Sequence, residues 1–172
     1  LARPSGAGTE ALLRSAADVR IDRPPGWDGF DAALGELYAG GDDPIATSGR
    51  QTLSLVRHLR QLAGGGDRPW HGAEYPHDGF GRSLREVARL VRAEVGLEVA
   101  VVELGGWDSH VDQARQLAGP LAALGNGLAA FARDLDDRMR AVTVVALSEF
   151  GRRVRANSGG GTDHGRATAA FV

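Results

Sequence analysis

The sequence predicts an α/β fold, a mainly parallel sheet flanked by helices, and three observations carry that expectation. Two short β-branched runs, 97–104 (LEVAVVEL) and 141–147 (AVTVVAL), read as buried strands. Between them Leu117, Leu121, Leu124, Leu128, Phe131 and Leu135 recur at spacings of three and four, the apolar seam of a helix. Strand, helix, strand is the βαβ unit, whose crossover places its two strands parallel.

Each element follows in order. Residues 1–75 read as helical and loop-rich: 30–39 (FDAALGELYA) and 52–63 (TLSLVRHLRQLA) have helical apolar spacing, and GGDDP and GGGDRPWHG separate elements. Residues 83–95 put Leu84, Val87, Ala88, Val91 and Val95 on one helical face, with Gly96 placed to end the helix. Gly105 and Gly106 close the first strand. Gly119, Pro120, Gly125 and Gly127 weaken the first half of the long helix and leave its start open. The apolar run 167–172 is expected to be a last strand, antiparallel to its neighbours. The whole, 1–172, reads as one partial domain, with 1–75 leading into a βαβ core over 76–172.

Composition bounds the function. With 172 residues, 42% hydrophobic and 24% charged, the chain can bury a core. Twenty basic against 22 acidic residues give a net charge of −2, so no global field attracts nucleic acid. Every basic residue is arginine, which excludes Schiff-base lysines and phosphate-loop lysines, and anion contacts fall to Arg or backbone N–H groups. The absence of cysteine excludes disulfides and thiolate ligands. No apolar stretch is long enough to span a membrane. The start, LARPSGAGTE, has neither an initiator Met nor a signal-peptide apolar region, and the end is ATAAFV, so the chain is expected to be a piece of a longer protein.

Ligands of open α/β sheets bind beyond the carboxyl ends of the strands. Two loops meet that condition, 105–113 (GGWDSHVDQ) and 148–166 (SEFGRRVRANSGGGTDHGR). Asp108 and His110 flank one residue, and in extended backbone alternate side chains point the same way. Asp163 and His164 are adjacent, between Gly161 and Gly165, which permit a sharp turn. Carboxylate and imidazole together suit a divalent metal, with zinc, manganese, iron and calcium all open. Taken singly, each pair reads equally as a turn cap with a solvated histidine. Glu149 directly follows the second apolar run and is a supporting candidate; Arg152 and Arg166 are candidates for anion binding, and Arg153 and Arg155 read as solvated. His58, His71 and His77 read as structural or exposed. No G-x-S-x-G elbow occurs, and a triad built on Ser148 with either loop histidine has no specific signature.

The order GGWDSH, then SEFGR, then GTDHG resembles the bacterial DUF1501 family, most strongly over 75–172, whose members resemble the alkaline phosphatase and sulfatase superfamily. The resemblance implies an alkaline phosphatase-like sheet with metal ligands at its strand ends, Asp108 and His110 serving one metal and Asp163 and His164 a second. It implies a phospho- or sulfo-ester hydrolase with a small-molecule or polymer ester substrate, and export of the parent protein. The superfamily's nucleophile and a last His ligand match nothing in the chain, so the piece is expected to be inactive. A non-catalytic binding or surface-assembly protein that keeps the fold is the rival expectation, and a metal-free scaffold a third.

Overall fold

The computed structural model describes residues 26, 29–64 and 68–172, and the chain divides into two units, Leu1–Asp67 and Arg68–Val172. In the first unit, helices α1 (Phe30–Ala39) and α2 (Pro44–Gly64) pack together. Helix α2 starts eight residues before the sequence-predicted 52–63. The cause is local: Asp43 accepts from the N–H groups of Ile45 at 2.9 Å and Ala46 at 3.0 Å, and Pro44 supplies a helical φ at the first position. GGDDP is therefore a helix start rather than a separator. Leu53, Val56 and Leu59 form the buried side of α2, and Arg60 pairs with Asp31 across to α1 at 2.7 Å.

The second unit is built on α3 (Gly79–Arg92) and α4 (Gln113–Leu135), followed by a 3₁₀ turn, Asp136–Ala141. Asp78 caps α3 by accepting from the Gly81 N–H at 2.7 Å, and Arg89 and Arg92 in its last turn complement the helix dipole. Phe80, Leu84 and Ala88 of α3 meet Phe131 and Leu135 of α4 in the core. Gly127, which weakens the helical reading of α4, is needed there: a Cβ would lie 2.7 Å from the Phe80 ring. The helical loss at Gly127 is offset by an aromatic contact that the spacing of leucines does not reveal.

Beneath that core lies a buried polar knot. Asp134 is fully buried and accepts from the Trp70 N–H at 2.7 Å and the Tyr75 hydroxyl at 2.8 Å, and it pairs with Arg92. Arg92 and Arg138 both stand over the Trp70 ring, 5.2 and 5.1 Å from its centroid. Burial and the bond to Asp134 together push the Tyr75 hydroxyl well above its ordinary range, so it stays protonated and donates.

The predicted parallel sheet is absent among the described residues, and with it the alkaline phosphatase-like fold. About half of the described residues are helical, and the one sheet among them is a pair of two-residue antiparallel strands, β1 (Gly151–Arg152) and β2 (His164–Gly165). Residues 97–104 and 142–147 form no ladder with each other. They alternate instead: Val102, Leu104, Val142 and Val144 pack against the helical core, while Val99, Val101 and Leu147 stand 76–86% exposed. A β-branched run reports fitness for a pleated, half-buried surface, and it does not report which partner lies alongside. The last segment does meet its neighbours antiparallel, through single bridges of Ala167 to Arg152 and of Phe171 to Ala146, without forming a continuous strand.

A candidate metal centre

Two loops are stitched together at the start of α4. The N–H of Asp112 donates to the Gly159 carbonyl at 2.9 Å, and that of Gln113 to the Gly160 carbonyl at 3.2 Å. The 157–161 turn thus satisfies donors at a helix start where the Asp112 side chain makes no cap. Thr162 donates to the Gln113 side chain at 3.0 Å, adding a third tie.

Asn157 organises that turn. Its Oδ1 accepts from the N–H groups of Gly159 at 2.9 Å and Gly161 at 3.1 Å, while its Nδ2 donates to the His110 carbonyl at 2.9 Å and to Asp163 Oδ1 at 3.0 Å. Gly161 sits hard against the other loop: a Cβ there would be 2.3 Å from the His110 carbonyl oxygen. Gly161→Ala is therefore expected to cost about 1–3 kcal/mol and to part the loops. Denaturant melts of the variant, with the His110 and His164 ring resonances followed by NMR, check this; an unaltered midpoint with unshifted rings would contradict it.

The result is a cluster. Asp108 Oδ1 lies 2.7 Å from His164 Nε2 and 3.1 Å from His110 Nε2, and the two imidazoles are 4.8 Å apart between centroids. The potential ligand atoms of these three side chains all fall within 4.8 Å of one another. Asp163 is placed differently: its Oδ1 faces the other nitrogen of His110, Nδ1, at 3.4 Å. Ser109, between Asp108 and His110, is buried with its Oγ unpartnered, which fits the expected alternation of side chains along an extended loop.

Around the cluster, Phe150 stacks on His164 with 4.8 Å between centroids, and Arg152 lies over Phe150 at 5.3 Å. The Arg152 guanidinium donates to the carbonyls of Trp107, at 2.8 Å, and Thr162, and it stands 3.7 Å from Asp108 Oδ1. It therefore braces the two loops. Glu149 and Arg166 are exposed and outside the cluster. Ser148 donates to the Phe150 carbonyl at 2.8 Å rather than to an imidazole. His71 and His77 are exposed, and the side chain of His58 lies outside the described residues.

Both carboxyls of the site are held below the ordinary aspartate value of 3.8, Asp108 chiefly by its bond to His164 and Asp163 chiefly by its bond to Asn157. A folded-state value below the unfolded one contributes stability above the unfolded value, and that contribution disappears as pH falls through the folded value. The unfolding midpoint is thus expected to drop below about pH 4, and less so when Asp108→Asn and Asp163→Asn are combined. Denaturant melts of both proteins across that range check the sign; equal slopes would contradict it.

Two imidazole nitrogens and one carboxylate oxygen form a donor set suited to zinc, iron or manganese. Bonds of about 2.0–2.1 Å put tetrahedral donors about 3.3 Å apart; Asp108 Oδ1 lies inside that spacing from both imidazoles, while the three donor atoms together span up to 4.8 Å. Rotation of these half-exposed side chains draws the two imidazoles together and Asp108 back, and the donor types fit a metal.

Sequence reasoning missed Asn157, although an Asn followed by glycines is the signature of a side chain bonded to backbone two residues on. It also missed Phe150 and the helix-start contacts. The family model described as "Protein of unknown function (DUF1501)" matches residues 65–172. No curated protein and no solved structure matches the chain. Matched over well more than half of its length, the chain belongs to the DUF1501 family.

Proposed function

We propose that this DUF1501 chain binds a divalent transition metal through His110 Nε2, His164 Nε2 and Asp108 Oδ1. The observation that carries the reading is the convergence of both imidazoles on one carboxylate oxygen from loops 54 residues apart, at 2.7 and 3.1 Å. Two nitrogens make the set better suited to zinc, iron or manganese than to calcium, which prefers six to eight oxygens.

A metal held there would supply Lewis-acid activation of water or of an ester oxygen. Hydrolysis of a phosphate or sulfate ester is the chemistry we attach to the site. Its support is local, since the alkaline phosphatase-like sheet that the superfamily resemblance implies is absent among the described residues: all three donors are at least 42% exposed, leaving an open side for water and substrate. The chain's own residues bind and brace, with Arg152 fixing the loops and Phe150 backing His164.

Titration of metal-stripped protein with zinc, manganese, iron(II) and calcium tests the reading. One zinc per chain, held more tightly than calcium, is expected. Failure to bind any of the first three stoichiometrically overturns it. Release of nitrophenol from its phosphate and sulfate esters by the loaded chain then separates hydrolysis from binding alone.

A further inference from the structure

We infer that Asp163 is a positioning residue rather than a metal ligand, and that it sets which nitrogen of His110 faces the metal. This rests on the proposed metal site. His110 is held at both ring nitrogens: Nε2 turns toward Asp108 at 3.1 Å, and Nδ1 toward Asp163 at 3.4 Å. One imidazole cannot present both nitrogens to the same ion, so the carboxylate on the far side of the ring is aimed away from the cluster that Nε2 joins. The grouped donor atoms are those of Asp108, His110 and His164, without Asp163.

The role is that of a carboxylate behind a liganding histidine. An acceptor at Nδ1 holds the proton there, leaves the Nε2 lone pair free, and fixes the plane of the ring. Asn157 completes the relay, since one Nδ2 group donates both to Asp163 Oδ1 at 3.0 Å and to the His110 carbonyl at 2.9 Å. The carboxylate is thereby tied to the backbone of the residue it orients. Adjacent in sequence, Asp163 and His164 serve opposite sides of the centre: His164 Nε2 lies 2.7 Å from Asp108, and Asp163 supports the other histidine from behind.

The test uses the full chain, zinc as the affinity probe and cobalt(II) as the spectroscopic one. In Asp163→Ala, zinc affinity is expected to fall about 10–100-fold, while the visible spectrum of bound cobalt keeps the coordination number of the wild type. In zinc-loaded protein, nitrogen-15 spectra should show His110 liganded through Nε2 with its proton on Nδ1 in the wild type, and a mixture of both ring orientations in the variant. Asp163→Asn, which retains an acceptor, should recover part of the affinity. A cobalt spectrum reporting one ligand fewer in Asp163→Ala makes Asp163 a ligand and overturns the inference, as does unchanged zinc affinity. Wild-type protein that binds neither metal overturns the metal reading itself, and is told apart by needing no variant.

Discussion

Asp134→Ala is expected to cost the 68–172 unit about 3–5 kcal/mol, the loss typical when one partner of a buried ion pair is removed. Asp134 is fully buried, and its two oxygens serve Arg92, the Trp70 N–H and the Tyr75 hydroxyl. Alanine strands a guanidinium that is only 7% exposed, together with two neutral donors. The arginines over Trp70 would lose their anchor as well. Urea denaturation followed by tryptophan fluorescence measures the change, since Trp70 belongs to the network. A shift under about 1 kcal/mol, the scale of an ordinary surface change, would show that the network is not what holds α3 to α4. Asp134→Asn should fall between, because it keeps the acceptor geometry for one donor and loses the charge facing Arg92.

Asp108→Ala is expected to have the largest effect on metal affinity. Asp108 is the one side chain that both imidazoles approach, and it is 62% exposed, so its loss leaves the core untouched. Zinc affinity should fall by more than the 10–100-fold, in round figures about two orders at most, that an outer-shell change costs. The unfolding midpoint at neutral pH should move far less than for Asp134→Ala. Competition with a chromophoric chelator gives the affinity, and a melt of the same sample gives the stability. Equal zinc affinity in variant and wild type would remove Asp108 from the ligand set.

The sequence was most informative where chemistry is local. Helices were legible because leucine spacing reports a face directly, and α1 was placed at Phe30–Ala39 as expected. Asp108, His110 and His164 were legible as candidates because few residues bind metals, and the D-x-H alternation holds with Ser109 buried between an exposed Asp108 and a half-buried His110. The parallel sheet was misread because pairing is a non-local property. The runs at 97–104 and 142–147 have strand-like composition, yet their inward residues meet helices α3 and α4 rather than a sheet. What brings the site loops together is instead a helix start, where Asp112 and Gln113 take carbonyls from a glycine turn. Backbone donors carry no side-chain signature, so that docking could not be read from residue types. The Asp134 knot was hidden for a related reason: a lone Asp in a helical seam looks like surface until Arg92, Trp70 and Tyr75 are seen around it.

The most direct test of the proposed metal centre is an anomalous difference map from crystals of the chain grown with zinc. The predicted result is one strong peak bonded at about 2.0–2.2 Å to His110 Nε2, His164 Nε2 and Asp108 Oδ1, with Asp163 still on the Nδ1 side of His110. A map with no peak between the two loops, while zinc is present in the crystal, would contradict the account.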